Sequence, residues 1–351
     1  MTAVGSVELV RAYFECVRCS SSGYPLDERL GAEGSASQEA ERLLCLAGSS
    51  WSFEVAAQRL QEFLGWTRCS DTVRQTCYRR GRQMESWRES QPLANESFRD
   101  ATGEVEFETD GTCVNTQKGW REMRLGIFCK RQRGEAASAA NWDKRSLPRP
   151  HVRVAFAAIE SSRRFGRRWK GWARRLGILD TSRVSVLADG AAWIWEEQIK
   201  HLRGATGVLD VYHAFEHVSQ TASAIYGEAT HEASQWTERA RQALLEEGWP
   251  GIERQLLETR RQLRSARKRK ALQGLWNYLE PHSDHLHYPK RLSEGRTIGS
   301  GLVEGGCKQI IGRRLKQTGA RWRVSHLGPM ATLCCTANGP QWDIYWTTGK
   351  T

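Results

Sequence analysis

Alternation of apolar and polar residues predicts β-strands in the middle of the chain. Val105, Phe107 and Thr109 alternate with three glutamates, and a period of two is typical of a half-buried strand. The alternation resumes over 120–130 after a turn-like stretch, so the two segments are predicted to form a hairpin. Shorter apolar runs predict further strands at 151–159, 184–188 and 207–211.

Helical spacing of apolar residues is found on both sides of these strands. Residues 35–90 show an apolar helical face that breaks at Gly65 and then resumes. Two helices around a glycine turn are typical of a helix-turn-helix, although any helical hairpin gives the same pattern. Residues 212–280 are predicted to be wholly helical, and one more helix is predicted after Gly301.

The order of these elements predicts the fold class. A hairpin followed by a strand and two strand–helix crossovers gives a mixed α/β sheet of five strands covered by helices. This is the order of the ribonuclease H-like fold, with a large all-helical insertion after strand five and a helical N-terminal region. The predicted divisions are a partial zinc-ribbon-like module (1–31), a helical region (32–100), the first part of the ribonuclease H-like domain (101–217), the helical insertion (218–292) and the C-terminal part of that domain (293–351).

The charge of the chain favours a polyanionic partner. Lys and Arg number 52 against 40 Asp and Glu, which leaves a net charge of +12, and such a balance favours nucleic acid. No apolar run reaches about 18 residues and no signal peptide is recognisable, so we expect a cytoplasmic protein without a membrane partner. The ten scattered cysteines fit a reducing compartment.

Three acidic residues follow predicted elements that would meet at one sheet edge. Asp110 ends the first strand, Asp189 follows the fourth, and Glu304 lies one turn into the late helix. Taken singly, each acid also fits a turn or a helix cap. Together, three carboxylates suit Mg²⁺ (or Mn²⁺), and a pair of such ions can hold a scissile phosphate. We therefore predict that these three residues are catalytic metal ligands.

Two further groups of residues suggest accessory or zinc chemistry. Asp210 and His213 follow the fifth strand, so His213 is expected to contact a phosphate or orient a base beside the metal site. Zinc held by Asp210, His213 and His217 is an alternative. Cys16 and Cys19 have the spacing of one zinc knuckle, but a structural Zn²⁺ site needs four ligands, so this site is incomplete.

Positive charge is concentrated in three short segments. Residues 163–175 and 260–270 each contain seven Lys or Arg, and 313–323 contains five. Such charges bind DNA phosphates, and interleaved tryptophans can stack on bases, whereas a solvated helix face is the alternative. The predicted DNA contacts are Arg167, Arg168, Trp169, Lys170, Lys308, Arg313, Arg314, Lys316 and Arg321.

Three blocks of the sequence resemble a known family. They are VLADGAAWIW at 186–195, LDVYHAFEH at 209–217 and IGSGLVEGGCKQ at 298–309. These blocks are similar to motifs of the ISKra-type family of bacterial insertion-sequence transposases, which are DDE enzymes on a ribonuclease H-like fold. The resemblance implies a metal-binding triad with an accessory Asp-x2-His signature: Asp110, Asp189 and Glu304, with Asp210 and His213.

The resemblance predicts a DNA transposase. Such an enzyme binds double-stranded DNA at the terminal repeats of its element, hydrolyses a strand at each end and joins the 3′-hydroxyl to target DNA, and a homodimer assembled on DNA is expected. Its relatives carry a further Cys pair upstream of Cys16 and Cys19, which implies a truncated or misassigned start. Two alternatives stay open: a truncated, non-catalytic DNA-binding repressor of transposition, and a structure-selective nuclease of the same fold.

Overall fold

A five-stranded mixed sheet lies in the middle of the chain. The computed structural model describes residues 2, 5, 7, 8, 10–30 and 36–348. The strands are β1 (Glu104–Thr116), β2 (Gly119–Arg131), β3 (Val152–Ala158), β4 (Val184–Ala188) and β5 (Thr206–Leu209). Their order across the sheet is β3-β2-β1-β4-β5. β2 pairs antiparallel with β1 and β3, and β4 pairs parallel with β1 and β5. The predicted mixed sheet of five strands is confirmed.

The pairing register brings the carboxyl ends of β1, β4 and β5 to one edge. β1 pairs with β4 only as far as Glu108, which lies opposite Leu187, but it continues with β2 to Thr116. Asp110 therefore lies inside β1, beyond its last contact with β4. The prediction that Asp110 ends the strand is wrong, because backbone pairing with β2 continues where the apolar alternation stops.

The part of the chain that precedes the sheet is mainly helical. Its helices are α1 (Pro25–Leu30), α2 (Gln38–Ser50), α3 (Phe53–Leu64), α4 (Ser70–Ser90) and α5 (Glu96–Asp100). A 3₁₀ turn at Pro92–Asn95 precedes α5. A pair of two-residue strands, Phe14–Glu15 and Ser22–Gly23, precedes α1.

Helices also connect and follow the strands. α6 (Ser162–Arg175) and α7 (Ala192–His201) connect β3 to β4 and β4 to β5. β5 leads into α8 (Val211–Tyr226), α9 (His231–Glu247), α10 (Trp249–Gln262), α11 (Ala266–Leu279) and α12 (Tyr288–Ser293). 3₁₀ turns lie at Thr181–Arg183 and Glu280–His285.

The C-terminal part returns to the sheet. α13 (Gly301–Gly306) continues through a π-helical turn, Cys307–Gly312, into α14 (Arg313–Leu315). α15 (Val324–Ala337) and α16 (Gln341–Thr348) follow. In the described part of the chain, none of these helices combines the length and the apolar character that crossing a membrane requires.

Two hydrophobic clusters lie on opposite faces of the sheet. One contains Phe107 and Phe128 and packs against α6 to α9. The other contains Leu125 and Ile127 and is shared by α2 to α4, α13 and α15. Neighbouring residues of a strand point to opposite faces, so β2 contributes to both clusters. The N-terminal helices thus pack on the same sheet face as the helix that carries Glu304.

The predicted helical hairpin around Gly65 is confirmed. Gly65 ends α3 in the left-handed region (φ 66°), and its N–H donates to the carbonyl of Gln61 at 2.9 Å. In α4, Gly81 lies so close to the backbone of Pro329 in α15 that a larger side chain would collide with it. The hairpin therefore packs against the C-terminal part of the chain, and a DNA-binding role for it stays a prediction.

Candidate active site

An open cleft of about 520 Å³ lies at the carboxyl edge of the sheet. Its lining side chains come from β1, from the first turn of α8 and from the helix that begins with α13. They are Asp110, Thr112, His213, Glu304, Cys307, Lys308 and Lys316. Two of the three predicted catalytic carboxylates thus line one cleft, together with the predicted histidine and two lysines.

Asp189, the third predicted carboxylate, follows β4 and acts on this cleft by its charge. It accepts a hydrogen bond from the backbone N–H of Ala191 at 3.0 Å. Burial raises the pKa of Asp110, and the N–H of Gly111 opposes this rise, while the negative charges of Asp189 and Glu304 raise the pKa further. Neighbouring like charges disfavour ionisation in this way. The three carboxylates therefore form one electrostatic cluster, but in the described part of the chain their oxygens do not all lie within 4.8 Å of one another.

Asp210 is the N-cap of α8 and is fully buried. One of its oxygens accepts from the backbone N–H of His213 at 2.9 Å and contacts ring Nδ1 at 3.2 Å. The other oxygen accepts from the N–H of Ser300 at 2.5 Å and from its hydroxyl at 2.8 Å. Burial alone would raise the pKa of Asp210, but these hydrogen bonds hold it below its ordinary value. Asp210 therefore joins the start of α8 to the residue before α13.

His213 is a cation beside the acidic cluster. The hydrogen bond with Asp210 raises its pKa to about 9, against a smaller opposing effect of burial, and the charges of Asp189 and Glu304 add to the rise. Ligand atoms of Asp210, His213 and Glu304 lie within 4.8 Å of one another. Metal binding by this set would cost the Asp210–His213 contact. Of the three predicted carboxylates, only Glu304 belongs to this group.

The alternative zinc set of Asp210, His213 and His217 is not brought together. The ring of His217 stacks on that of Tyr278, with 3.7 Å between ring centroids, and burial lowers the pKa of His217. In the described part of the chain His217 belongs to no cluster of three ligating side chains. Its position one helical turn beyond His213 serves packing instead.

The helix of Glu304 is held against β1 by two contacts. The N–H of Val303 donates to Glu108 Oε2 at 2.8 Å, and Cys307 Sγ lies 3.9 Å from Asp110 Oδ2. Burial raises the pKa of Glu108 to about 8, with a smaller rise from a neighbouring glutamate, so this side chain is protonated at neutral pH. The π-helical turn begins directly after this anchored segment, and such turns are frequent at functional sites.

Helix α6 has an exposed charged side and a buried aromatic side. Arg167 and Lys170 are exposed. Arg168 instead donates to both carboxylate oxygens of Glu160, at 3.0 and 2.9 Å. Trp169 is fully buried, and its ring lies 4.9 Å from that of a core phenylalanine. The prediction that Trp169 contacts DNA is wrong because the ring is part of the core, and the charge of Arg168 is already balanced.

The basic segment after Glu304 contains one buried arginine. Arg314 donates from Nε to the carbonyl of Gly48 at 2.6 Å. Its guanidinium lies 4.4 Å from the ring of Phe53 and 4.9 Å from that of Trp322. The prediction that Arg314 contacts DNA is wrong, because this stacking leaves only 3% of it exposed. The other predicted contacts of the segment are exposed: Lys308, Arg313, Lys316 and Arg321.

Cys16 and Cys19 lie on an exposed turn between the two short N-terminal strands. The Cys19 thiol is 3.1 Å from the hydroxyl of Ser21, and this contact lowers the pKa of Cys19. Across residues 10–30 and 36–348, no third ligating side chain joins the two thiols. The zinc interpretation of this pair gains no further ligand.

Sequence reasoning missed three residues that shape the site, namely Glu108, Ser300 and Cys307. Glu108 is two positions before Asp110 on the same strand, so the two side chains share a face. That spacing was a usable signal. Ser300 and Cys307 had no such signal, because their contacts with Asp210 and Asp110 join distant parts of the chain.

Comparison with known proteins identifies a family. The chain belongs to an uncharacterised protein family, UPF0236, whose sequence profile matches residues 1–345. A search of curated proteins finds no match. The description of the family names no activity, so a function for this chain has to be inferred from its site.

Proposed function

We propose that this protein is a DDE-type DNA transposase of a bacterial insertion sequence, as its resemblance to the ISKra-type family implies. It binds the terminal repeats of its element, hydrolyses a phosphodiester at each end and joins the freed 3′-hydroxyl to target DNA. The observation that carries the proposal is that Asp110 and Glu304 line one cleft at the edge of the sheet, where the charge of Asp189 also raises the pKa of the buried Asp110.

The strand order supports a ribonuclease H-like interpretation of the fold. β1 is central. On one side it pairs antiparallel with β2, which pairs antiparallel with β3, and on the other it pairs parallel with β4, which pairs parallel with β5. This is the arrangement that the order of predicted elements implied. The helices α8 to α12 then lie between β5 and the Glu304 helix, in the place of the expected helical insertion.

The donor set fits Mg²⁺ or Mn²⁺. Hard divalent cations prefer carboxylate oxygens. Burial raises the pKa of Asp110, and a cation among the carboxylates would relieve the repulsion from Asp189 and Glu304 that adds to this rise. Asp110, Asp189 and Glu304 would hold the metal. The chemistry supplied there is activation of the attacking water or hydroxyl and stabilisation of the leaving oxygen.

The chain's own cations bind and orient the phosphate. His213 is charged at neutral pH because of its raised pKa of about 9, and Lys308 and Lys316 line the same cleft. Charge-assisted hydrogen bonds from these groups to phosphate oxygens position DNA without reading its sequence. Asp210 acts through His213 as a positioning residue, because its oxygens already accept from four donors.

Exposed cations outside the cleft extend the contact with double-stranded DNA. Arg167 and Lys170 lie on α6, while Arg313 and Arg321 follow the Glu304 helix. Each phosphate that they neutralise adds affinity through counterion release. Assembly of two copies on the paired ends of the element is part of the proposal.

The test is cleavage of a duplex that carries one terminal repeat, taken from the DNA flanking the gene, in the presence of Mg²⁺. D110N, D189N and E304Q each remove one charge with little change in shape, and each is expected to slow cleavage roughly 10³-fold. D180N is the matched control, because Asp180 is exposed and precedes β4 at the opposite edge of the sheet.

Each outcome of this assay has a defined meaning. Full-rate cleavage by a triad variant removes that residue from the active site. Binding of the terminal repeat by the wild type without any cleavage favours the non-catalytic repressor. Cleavage without strand-transfer products favours the structure-selective nuclease.

A further inference from the structure

A second cleft, of about 710 Å³, lies between the N-terminal helices and the segment that follows α14. Its walls come from α3, α4, the β1–β2 turn and residues 317–323. No Asp or Glu among the described residues lines it. The cationic or basic side chains that line it are Arg74, Arg314, Arg321, Arg323 and His326. We call it the basic cleft.

The wall that carries Arg321 and Arg323 is held in a fixed position. Trp322 is buried between them. Its backbone N–H donates to the carbonyl of Asn115 at 3.1 Å, and its backbone carbonyl accepts from the N–H of Gln117 at 2.9 Å. The segment thus pairs with the tip of the β1–β2 hairpin. Alternate residues of an extended segment share a face, so the two exposed arginines stand on the side opposite the buried ring.

The electrostatic field of the basic cleft is positive. Burial lowers the pKa of His326, and the charges of Arg323, Arg74 and Arg82 lower it further. Every charged group that shifts this histidine is a cation. The ion pair of Arg74 with Asp71 lies on the exposed side of α4, where both side chains are about half exposed. Arg321 and Arg323 therefore add exposed positive charge to a cleft that no described carboxylate lines.

The basic cleft adjoins the cleft that contains Asp110 and Glu304, which we call the catalytic cleft. Lys316 lines the catalytic cleft and Gln317, the next residue, lines the basic cleft. Duplex DNA advances 3.4 Å per base pair, so a duplex of 20 base pairs is about 68 Å long. One straight duplex is long enough to occupy both clefts.

We propose that the basic cleft binds the phosphate backbone of the DNA duplex whose reacting phosphate lies at the carboxylate cluster. Arg321 and Arg323 make the principal contacts. The identity of the duplex rests on the proposed function, but phosphate binding by the cleft does not. The N-terminal helices acquire a role through this contact, because α3 and α4 form one wall of the DNA-binding surface.

The test is binding of the full chain to a fluorescein-labelled duplex of 20 base pairs in EDTA, where no cleavage occurs. R321Q/R323Q removes two exposed charges. Each phosphate contact that is lost weakens binding roughly 5-fold near 0.15 M salt. We therefore expect about 30-fold weaker binding and a salt slope smaller by about 2. R183Q/R203Q is the matched control, because both arginines are exposed and precede β4 and β5 at the opposite edge of the sheet. We expect this control to bind like the wild type.

Three outcomes overturn the proposal. The first is binding of the 20-base-pair duplex by R321Q/R323Q within twofold of the control, with both variants showing wild-type thermal unfolding. The second is a salt slope for R321Q/R323Q equal to that of the wild type, because such a slope means that no phosphate contact has been lost. The third is a single-stranded 20-mer that binds as tightly as the duplex with the same arginine dependence. The two proposals can fail separately. If the wild type does not cleave element ends but R321Q/R323Q still weakens duplex binding, the transposase proposal is refuted and DNA binding by the basic cleft is retained.

Discussion

Replacing Asp210 by alanine removes a buried carboxylate that joins two distant elements. In the wild type this side chain accepts from the N–H and ring of His213 and from the N–H and hydroxyl of Ser300. Asp210 is fully buried and Ser300 is 3% exposed. After the substitution, water cannot readily take the place of the lost acceptor at Ser300.

The expected cost can be worked out from these contacts. Loss of a helix N-cap costs about 1 kcal/mol, and each buried donor of Ser300 that loses its acceptor costs about 1–2 kcal/mol. Burying the carboxylate opposes its ionisation, but the hydrogen bonds outweigh this effect, since the pKa of Asp210 is lowered. D210A should therefore reduce the free energy of unfolding by about 3–5 kcal/mol.

Urea unfolding at pH 7, followed by tryptophan fluorescence, measures this change. D180A is the control, because Asp180 also caps a short helix and accepts from the N–H of Ser182 at 3.0 Å. Unlike Asp210, its side chain is 58% exposed. Water replaces the lost acceptor there, so the control should lose no more than about 1 kcal/mol. If D210A loses no more than D180A, Asp210 does not have the buried joining role assigned to it.

The isosteric change Asp210→Asn tests the charge separately. The pKa of His213 should fall from about 9 toward 6.5, because the hydrogen bond with Asp210 is the main cause of the shift. A raised pKa of this kind stabilises the fold below pH 6.5, and the contribution is lost as the pH rises through about 9. The His213 side chain is 37% exposed, so solvent screening leaves about 1–2 kcal/mol. Titration of the ring by NMR measures the pKa, and a value still near 9 in D210N would contradict this account.

Two further predictions concern buried ionisable side chains. Burial raises the pKa of Glu108 to about 8, so the folded protein keeps this proton to a higher pH than the unfolded chain does. The free energy of unfolding of the wild type should therefore fall by on the order of 4 kcal/mol between pH 4.5 and pH 9. Glu108→Gln keeps an acceptor for Val303 and should flatten that decline in urea unfolding, whereas equal declines in both proteins would show that Glu108 is not the cause. Arg314→Ala should destabilise the fold by about 3 kcal/mol through the lost contacts with Phe53 and Gly48. Unchanged stability with impaired DNA binding would instead make Arg314 a direct DNA contact.

Local periodicity was sufficient to predict the sheet. A period of two over 104–109 and 120–130 reports an extended backbone directly, and the structure pairs these segments as β1 and β2. Apolar runs followed by acids or helix signals located β4 and β5 in the same way. The carboxylates could be assigned to one edge because parallel strands end together, a rule that needs only the order of the elements.

Burial of individual side chains could not be predicted in this way. Trp169 and Arg167 are two positions apart on the same basic helix, yet one is in the core and the other is in solvent. Which side of α6 is covered depends on the sheet beneath it. Arg314 is buried by Phe53 and Gly48, which lie more than 250 positions earlier in the chain. No local pattern contains such a contact.

The three proposed metal ligands differ in how they are supported. Asp110 and Asp189 are positioned by the pairing of β1 with β4, which continuous backbone hydrogen bonds maintain. Glu304 is on a separate helix, and its place depends on Asp210 before α13 and on protonated Glu108 beneath it. A change at either contact can therefore displace the third carboxylate without disturbing the sheet. The proposed DNA cleavage should thus be more sensitive than global stability to conservative substitutions at Asp210 and Glu108.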